Sequence, residues 1–126
     1  MTDANSAAEV LEIKGLTKSL GGRNILCDIN LSVNSGEVFG FLGPNGSGKT
    51  TTIKLILGLL NIQKGEIKIC GYDVRRDFEK AMRNVGGIIE NPEMYKYLTG
   101  RENLMQYTRM YDDVPPERIE EVIKTV

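Results

Sequence analysis

Between residues 25 and 34 the chain reads ILCDINLSVN, with an apolar side chain at every odd position: Ile25, Cys27, Ile29, Leu31 and Val33. Leu26 is the one apolar residue out of phase. Alternation of this kind predicts a half-buried strand. The preceding VLEIKGL alternates more weakly through Leu11 and Ile13, and the polar turn around Gly21 and Gly22 predicts that the two runs pair antiparallel. The run VFGFL over 38–42 is apolar throughout, which predicts a strand buried on both faces. A glycine-rich loop follows, and then KTTTIKLILGLL. There Ile53, Leu55, Ile56, Leu57, Leu59 and Leu60 surround most of a helix, so a central, buried helix is expected.

Further along, EIKICGYDV predicts another strand, and Phe78, Ala81, Met82 and Val85 fall at helical spacing until Gly86 and Gly87 halt them. GGIIE reads as a strand and NPEMYKYL as a loop. TGRE is a capping box, Thr99 capping and Glu102 reaching back, that opens a helix over about 100–111. A last helix carries Ile119, Val122, Ile123 and Val126 on one face. Val126 is still a core position with no stop signal after it, so the pattern predicts a domain cut short, its stripe laid open to self-association. The small, polar residues 1–9 read as a disordered leader without the marks of a secretory signal.

The length of 126 residues allows one domain at most. Sixteen basic against seventeen acidic residues argue against a strongly basic nucleic-acid binder. No apolar run reaches the roughly eighteen residues of a membrane-spanning helix. Cys27 and Cys70 sit within apolar strand patterns and are expected to be buried, reduced thiols. Histidine is absent, which removes the commonest general base and any Cys/His metal site.

The chemistry concentrates in GPNGSGKTTT. Gly43 and Gly48-Lys49-Thr50 fit G-x-x-x-x-G-K-[ST], with a predicted strand before and a helix after. Gly43, Gly46 and Gly48 let the backbone turn its N–H groups inward. Those of Asn45, Gly46, Ser47, Gly48, Lys49, Thr50 and Thr51 then make an anion cradle at a helix N-terminus. In such a loop the Lys49 ammonium reaches the β- and γ-phosphates, the Thr50 hydroxyl ligates Mg²⁺ and Thr51 contacts the α-phosphate. A small G protein would carry N-K-x-D, which is absent; a small-molecule kinase remains open but leaves the front strands without a purpose.

The stretch LEIKGLTKSLGGRNILCDINLSVNSGEVFGFLGPNGSGKTTTIKLILGLL, with KGEIKICGYDV and VGGIIENPEMYKYLTGRENL, resembles the nucleotide-binding domain of ABC transporters from residue 10 to 126. The resemblance implies an α/β fold: a P-loop NTPase core with an N-terminal antiparallel β-subdomain, truncated before the signature motif and Walker B. An incomplete helical subdomain would begin near 99. ATP and Mg²⁺ are the implied cofactors, and Glu90 holds the Q-loop position, where the family usually has a Gln that contacts Mg²⁺ and the attacking water. Lys49 and Glu90 are therefore the candidate catalytic residues, with Thr50 and Glu90 the candidate metal ligands. A Glu at this position, together with TGRENL and YKYL, is similar to exporters of bacitracin- and lantibiotic-type antibiotics. Glu90 is not read as the Glu of Walker B, because Ile89 stands where that motif needs Asp. The family's adenine-stacking aromatic is replaced by Leu20, so weak base discrimination is expected.

The LSGGQ-type signature, the Walker B Asp-Glu pair and the switch His are absent from this chain. The resemblance thus implies an ATPase only as a full-length, dimeric protein, with little hydrolysis by this chain alone. The implied partners are a second ATP-binding domain and a membrane permease, met through the loop 91–98 by Met94, Tyr95, Tyr97 and Leu98. The rival for that loop is packing within the helical subdomain. The implied location is cytoplasmic, at the inner face of the membrane, with no direct nucleic-acid contact. The alternative is a soluble ABC ATPase acting on the ribosome or nucleic acid.

Overall fold

A computed structural model describes residues 8–92, 94–111 and 113–126, so most of the expected leader lies outside the described residues. The chain divides into two compact units, Met1–Ile89 and Glu90–Val126.

The first unit is built on an antiparallel sheet. Strands β1 (Glu9–Leu20) and β2 (Arg23–Asn34) form the hairpin expected from Gly21 and Gly22. Those two glycines have φ of 56° and 76°, a two-residue turn whose twist matches that of the strands it joins. Strand β3 (Lys64–Ile69) pairs antiparallel with the other edge of β1, and β4 (Tyr72–Asp73) with β3, giving the order β2-β1-β3-β4. Helices α1 (Lys49–Ile56) and α2 (Phe78–Met82) complete the unit. Its core gathers Ile13, Leu16, Leu26, Leu55, Ile67, Ile69, Val74 and Ala81.

The hairpin register shifts at four places, two of them in its middle. Ile13 pairs with Leu31 but Leu16 with Ile29, so β1 carries an extra residue, beside Gly15 at φ 59°. Leu16 pairs with Ile29 but Lys18 with Leu26, so β2 carries one in turn, beside Asp28 at φ 51°. Side chains stitch both. Gly15 N–H donates to Asn30 Oδ1 at 2.8 Å, Asn30 Nδ2 to the Asp28 carbonyl at 2.8 Å, and Asp28 N–H to Thr17 Oγ1 at 3.1 Å. A one-residue slip exchanges the faces of a strand. Leu26 is therefore buried and Cys27 exposed, the reverse of the expectation from odd-even alternation. Cys70, also expected to be buried, is exposed just past β3, where φ of 48° bends the chain towards β4.

Three further expectations are corrected. Residues 38–42 form no strand, and Val38 and Leu42 are 98% and 93% exposed. Residues 86–90 likewise form none. An all-apolar run becomes a buried strand only with neighbours on both edges, and none of the described residues pairs with either run. Helix α1 ends at Ile56 and buries one face, through Thr52 and Leu55, while Ile53 and Leu59 are exposed.

A buried lysine ties the sheet to the chain after α1. Lys18 Nζ donates to the Asn61 carbonyl at 2.7 Å, and Gln63 pairs with the backbone of Ser19 as a strand would. A charge buried this way needs such a partner.

The second unit holds α3 (Gly100–Thr108) and α4 (Glu117–Thr125), with Arg101 ion-paired to Glu120 between them. The expected capping box is present: Glu102 N–H donates to Thr99 Oγ1 at 3.2 Å, and Thr99 N–H to Glu102 Oε2 at 2.7 Å. Asn103, only 4% exposed, anchors the loop before the helix. Its Oδ1 accepts from Tyr95 N–H at 2.8 Å, and its Nδ2 donates to the carbonyls of Tyr95, Leu98 and Thr99 at 3.0 to 3.3 Å. On α4, Ile119 and Val122 are half-buried while Ile123 and Val126 are exposed, so the expected core stripe is only partly covered.

The capping box carries a pH signature. Hydrogen bonds from the Thr99 backbone and hydroxyl lower the Glu102 pKa. A depressed carboxylate stabilises the fold fully above the ordinary carboxylate range and loses that contribution as pH falls through its lowered value. NMR titration is expected to find Glu102 below its ordinary range, and Thr99→Ala to raise it only part of the way, because alanine keeps the backbone N–H. A Glu102 titration unchanged by Thr99→Ala would contradict the assignment.

Candidate functional site

The loop before α1 is folded by its own glycines and by the lysine that follows it. Gly46 has φ of 83° and Gly48, the N-cap of α1, φ of 92°, both in the region that favours glycine. Gly43 lies close to Ser47: a Cβ there would stand 2.6 Å from Ser47 Oγ, and that side chain would have to turn away. Ser47 N–H donates to the Pro44 carbonyl at 3.2 Å and closes the turn. Lys49 then reaches back across the loop. Its Nζ donates to the Gly43 and Pro44 carbonyls at 2.5 and 2.8 Å and lies 3.4 Å from Ser47 Oγ.

The helix start is open. No side chain caps α1, and no acidic residue occupies its first turn. The N–H groups of Lys49, Thr50 and Thr51 fall in that turn, where a helix offers no internal acceptor. The junction itself is firm, because Thr52 is buried and donates to the Gly48 carbonyl from both its N–H, at 2.8 Å, and its Oγ1, at 3.0 Å. An uncapped positive helix end beside an ammonium and a glycine-lined turn suits a phosphate chain.

The floor of the site comes from β2. A Cβ on Gly48 would lie 2.6 Å from Leu26 Cδ2 and 3.1 Å from the Ile25 carbonyl. Gly48 therefore rests directly on the sheet.

The structure thus brings together Gly43, Gly46, Ser47, Gly48, Lys49 and the first turn with Thr50 and Thr51. Leu20 ends β1 beside the hairpin turn and is exposed; no hydrogen bond joins it to the loop among the described residues. Glu90 opens the second unit with φ of 60°, a left-handed conformation uncommon for a residue with a side chain. Among the described residues no cluster of three acidic, Cys or His side chains could hold a metal. Mg²⁺ needs no such cluster, since it commonly takes one or two protein oxygens and completes its shell with phosphate and water. The exposed Thr50 hydroxyl at the head of α1 fits that role.

A family model described as ABC transporter matches residues 26–126. The chain belongs to the ABC transporter family. Relatives of this ABC chain include YhcH of Bacillus subtilis (strain 168), an uncharacterized ABC transporter ATP-binding protein, 49% identical over 93% of this chain and 38% of its own length. The bacitracin transport ATP-binding protein BcrA of Bacillus licheniformis is 36% identical over the same shares. Among solved structures, an ATP-binding subunit of an ABC transporter superposes with a TM-score of 0.77 at 36% identity, covering 86% of this chain and 45% of that one. The chain thus spans less than half the length of these ABC relatives.

Three buried supports, Leu26 and Thr52 in the first unit and Asn103 in the second, give little or no sign in the sequence. Leu26 left a trace, since it is the apolar residue that breaks the alternation of β2. Thr52 reads as one more polar helix residue, and Asn103 as a solvent-facing one; neither shows in the sequence that its side chain is buried.

Proposed function

We propose that this chain forms the phosphate-holding part of the ATP-binding subunit of an ABC exporter for antibiotic peptides or drugs. The observation that carries the proposal is the convergence of Lys49, the Gly43–Ser47 turn and the open N-terminus of α1. The export of antibiotics is supported by the likeness to a bacitracin transport protein and by Glu90 at the Q-loop position.

The division of labour follows from the residues. Lys49 exchanges its loop carbonyls for β- and γ-phosphate oxygens, which are stronger, charge-assisted acceptors. The first-turn N–H groups orient the phosphates, and Thr50 supplies a metal ligand. Glu90 is assigned a second metal contact. Mg²⁺, when bound, offsets phosphate charge. Leu20 offers the base only aliphatic contact.

The permease is assigned to the loop 91–98, of which Glu93 lies outside the described residues. Tyr97 is 82% exposed there, and Met94 and Tyr95 join Gln106, Tyr107 and Met110 around a groove of about 440 Å³. Exposed aromatics and methionines suit a partner surface. No helix among the described residues is long and apolar enough to cross a membrane, so a separate membrane subunit is assigned that task.

Titration with Mg-ATP and Mg-GTP is expected to give saturable binding of comparable affinity, with negligible steady-state phosphate release. The chain contains no group evident to polarise the attacking water. Steady-state turnover abolished by Lys49→Ala would overturn the inactive-chain proposal, and a large ATP preference would overturn the role given to Leu20. Co-purification with ribosomes in place of a membrane subunit would favour the soluble ABC alternative.

A further inference from the structure

The bulge at Cys27–Asp28 does more than bend an edge strand. Gly48, the last glycine of the loop, sits against the two residues just before the bulge. A Cβ on Gly48 would come within 2.6 Å of Leu26 Cδ2, 3.1 Å of the Ile25 carbonyl and 3.4 Å of Ile25 Cγ2. Leu26 is buried only because the extra residue of β2 exchanges its face with that of Cys27. Without the slip, Leu26 would point to solvent and the short Cys27 would stand in its place.

The slip is held in place by named contacts. Asp28 takes φ of 51°, its N–H donates to Thr17 Oγ1 at 3.1 Å, and its carbonyl accepts from Asn30 Nδ2 at 2.8 Å. On the other side, Gly48 accepts both hydrogen bonds from Thr52 and begins α1. The chain of contacts therefore runs from the bulge through Leu26 to Gly48, and from Gly48 to the first-turn N–H groups of α1.

We infer that the β2 bulge is a positioning device for the phosphate loop and that Leu26 is its positioning residue. The inference rests on the phosphate-site reading above. Leu26 touches no ligand; it sets the height and tilt of Gly48, and hence the direction of the first-turn N–H donors. Asp28 serves through its backbone conformation, which glycine can reproduce and a β-branched residue cannot.

The test measures Mg-ATP affinity and thermal stability together in the full chain. Leu26→Ala is compared with Ile67→Ala, a buried residue of β3 in the same core. Both large-to-small changes destabilise by similar amounts. Leu26→Ala is expected to weaken Mg-ATP binding about tenfold, with Ile67→Ala within about twofold of the parent. Leu26→Met, which conserves volume, is expected to restore affinity. Asp28→Gly is expected to bind as the parent does and Asp28→Val to follow Leu26→Ala. Should either alanine variant fail to fold, the Asp28 pair carries the same test. Affinity losses that simply track stability in all variants, or parental affinity in both Leu26→Ala and Asp28→Val, would overturn the inference. Lys49→Ala separates the two levels. If it leaves affinity intact, the phosphate-site reading itself fails; if it weakens binding while the bulge variants do not, only the positioning role fails.

Discussion

Lys49→Ala is expected to lower Mg-ATP affinity by about 10- to 100-fold, the equivalent of one charged hydrogen-bonding group. The ammonium is the cation held directly over the loop, donating to Gly43 and Pro44. Its removal deletes the charge that the β- and γ-phosphates would meet. Lys49→Arg is not expected to restore binding fully, because a planar fork cannot replace a compact ammonium inside a turn this tight. The overall fold is expected to stay intact, since the hydrogen bonds of the Lys49 ammonium among the described residues stay within an exposed loop. Equilibrium titration with a fluorescent nucleotide, with circular dichroism as the control, checks both points. Affinity equal to the parent's would remove the phosphate role from Lys49.

Gly65→Ala is expected to destabilise the first unit by about 3 kcal/mol, through backbone strain and overpacking acting together. Gly65 has φ of 91°, and a Cβ there would lie 2.5 Å from the carbonyl oxygens of both Lys14 and Gly15. Those atoms belong to the β1 bulge, which Asn30 pins in place, so the obstacle is backbone and cannot swing away. Gly71→Ala is the matching control. Its φ of 82° is similar, but a Cβ at Gly71 would meet nothing within 4 Å. It is expected to cost about 1 kcal/mol, from conformation alone. Urea unfolding of the two variants isolates the contact, and equal losses would show that strain alone decides both.

Local signals were legible in the chain and non-local ones were not. Gly21 and Gly22 announce their turn, and Thr99 with Glu102 their capping box, because each rests on atoms a few residues apart. The phosphate loop is legible for the same reason: Gly43, Ser47 and Lys49 meet within seven residues of chain. The exposure of Cys27 departs from the alternation because alternation carries no warning of a bulge, and the bulge depends on Thr17 and Asn30 together. Residues 38–42 depart from the expected strand because a run buried on both faces needs two neighbours, and periodicity does not reveal whether they are there. The need for glycine at position 65 comes from a strand far away in sequence, and so does not show in KGEIKI.

Asn103 has a consequence for the speed and cost of association. Fixing one residue's backbone takes about 1–2 kcal/mol of conformational entropy. With Tyr95, Leu98 and Thr99 already bonded to one buried side chain, that ordering is completed during folding. A partner that docks on Tyr97 would meet a pre-shaped surface, and less of its binding free energy would be spent on ordering the loop.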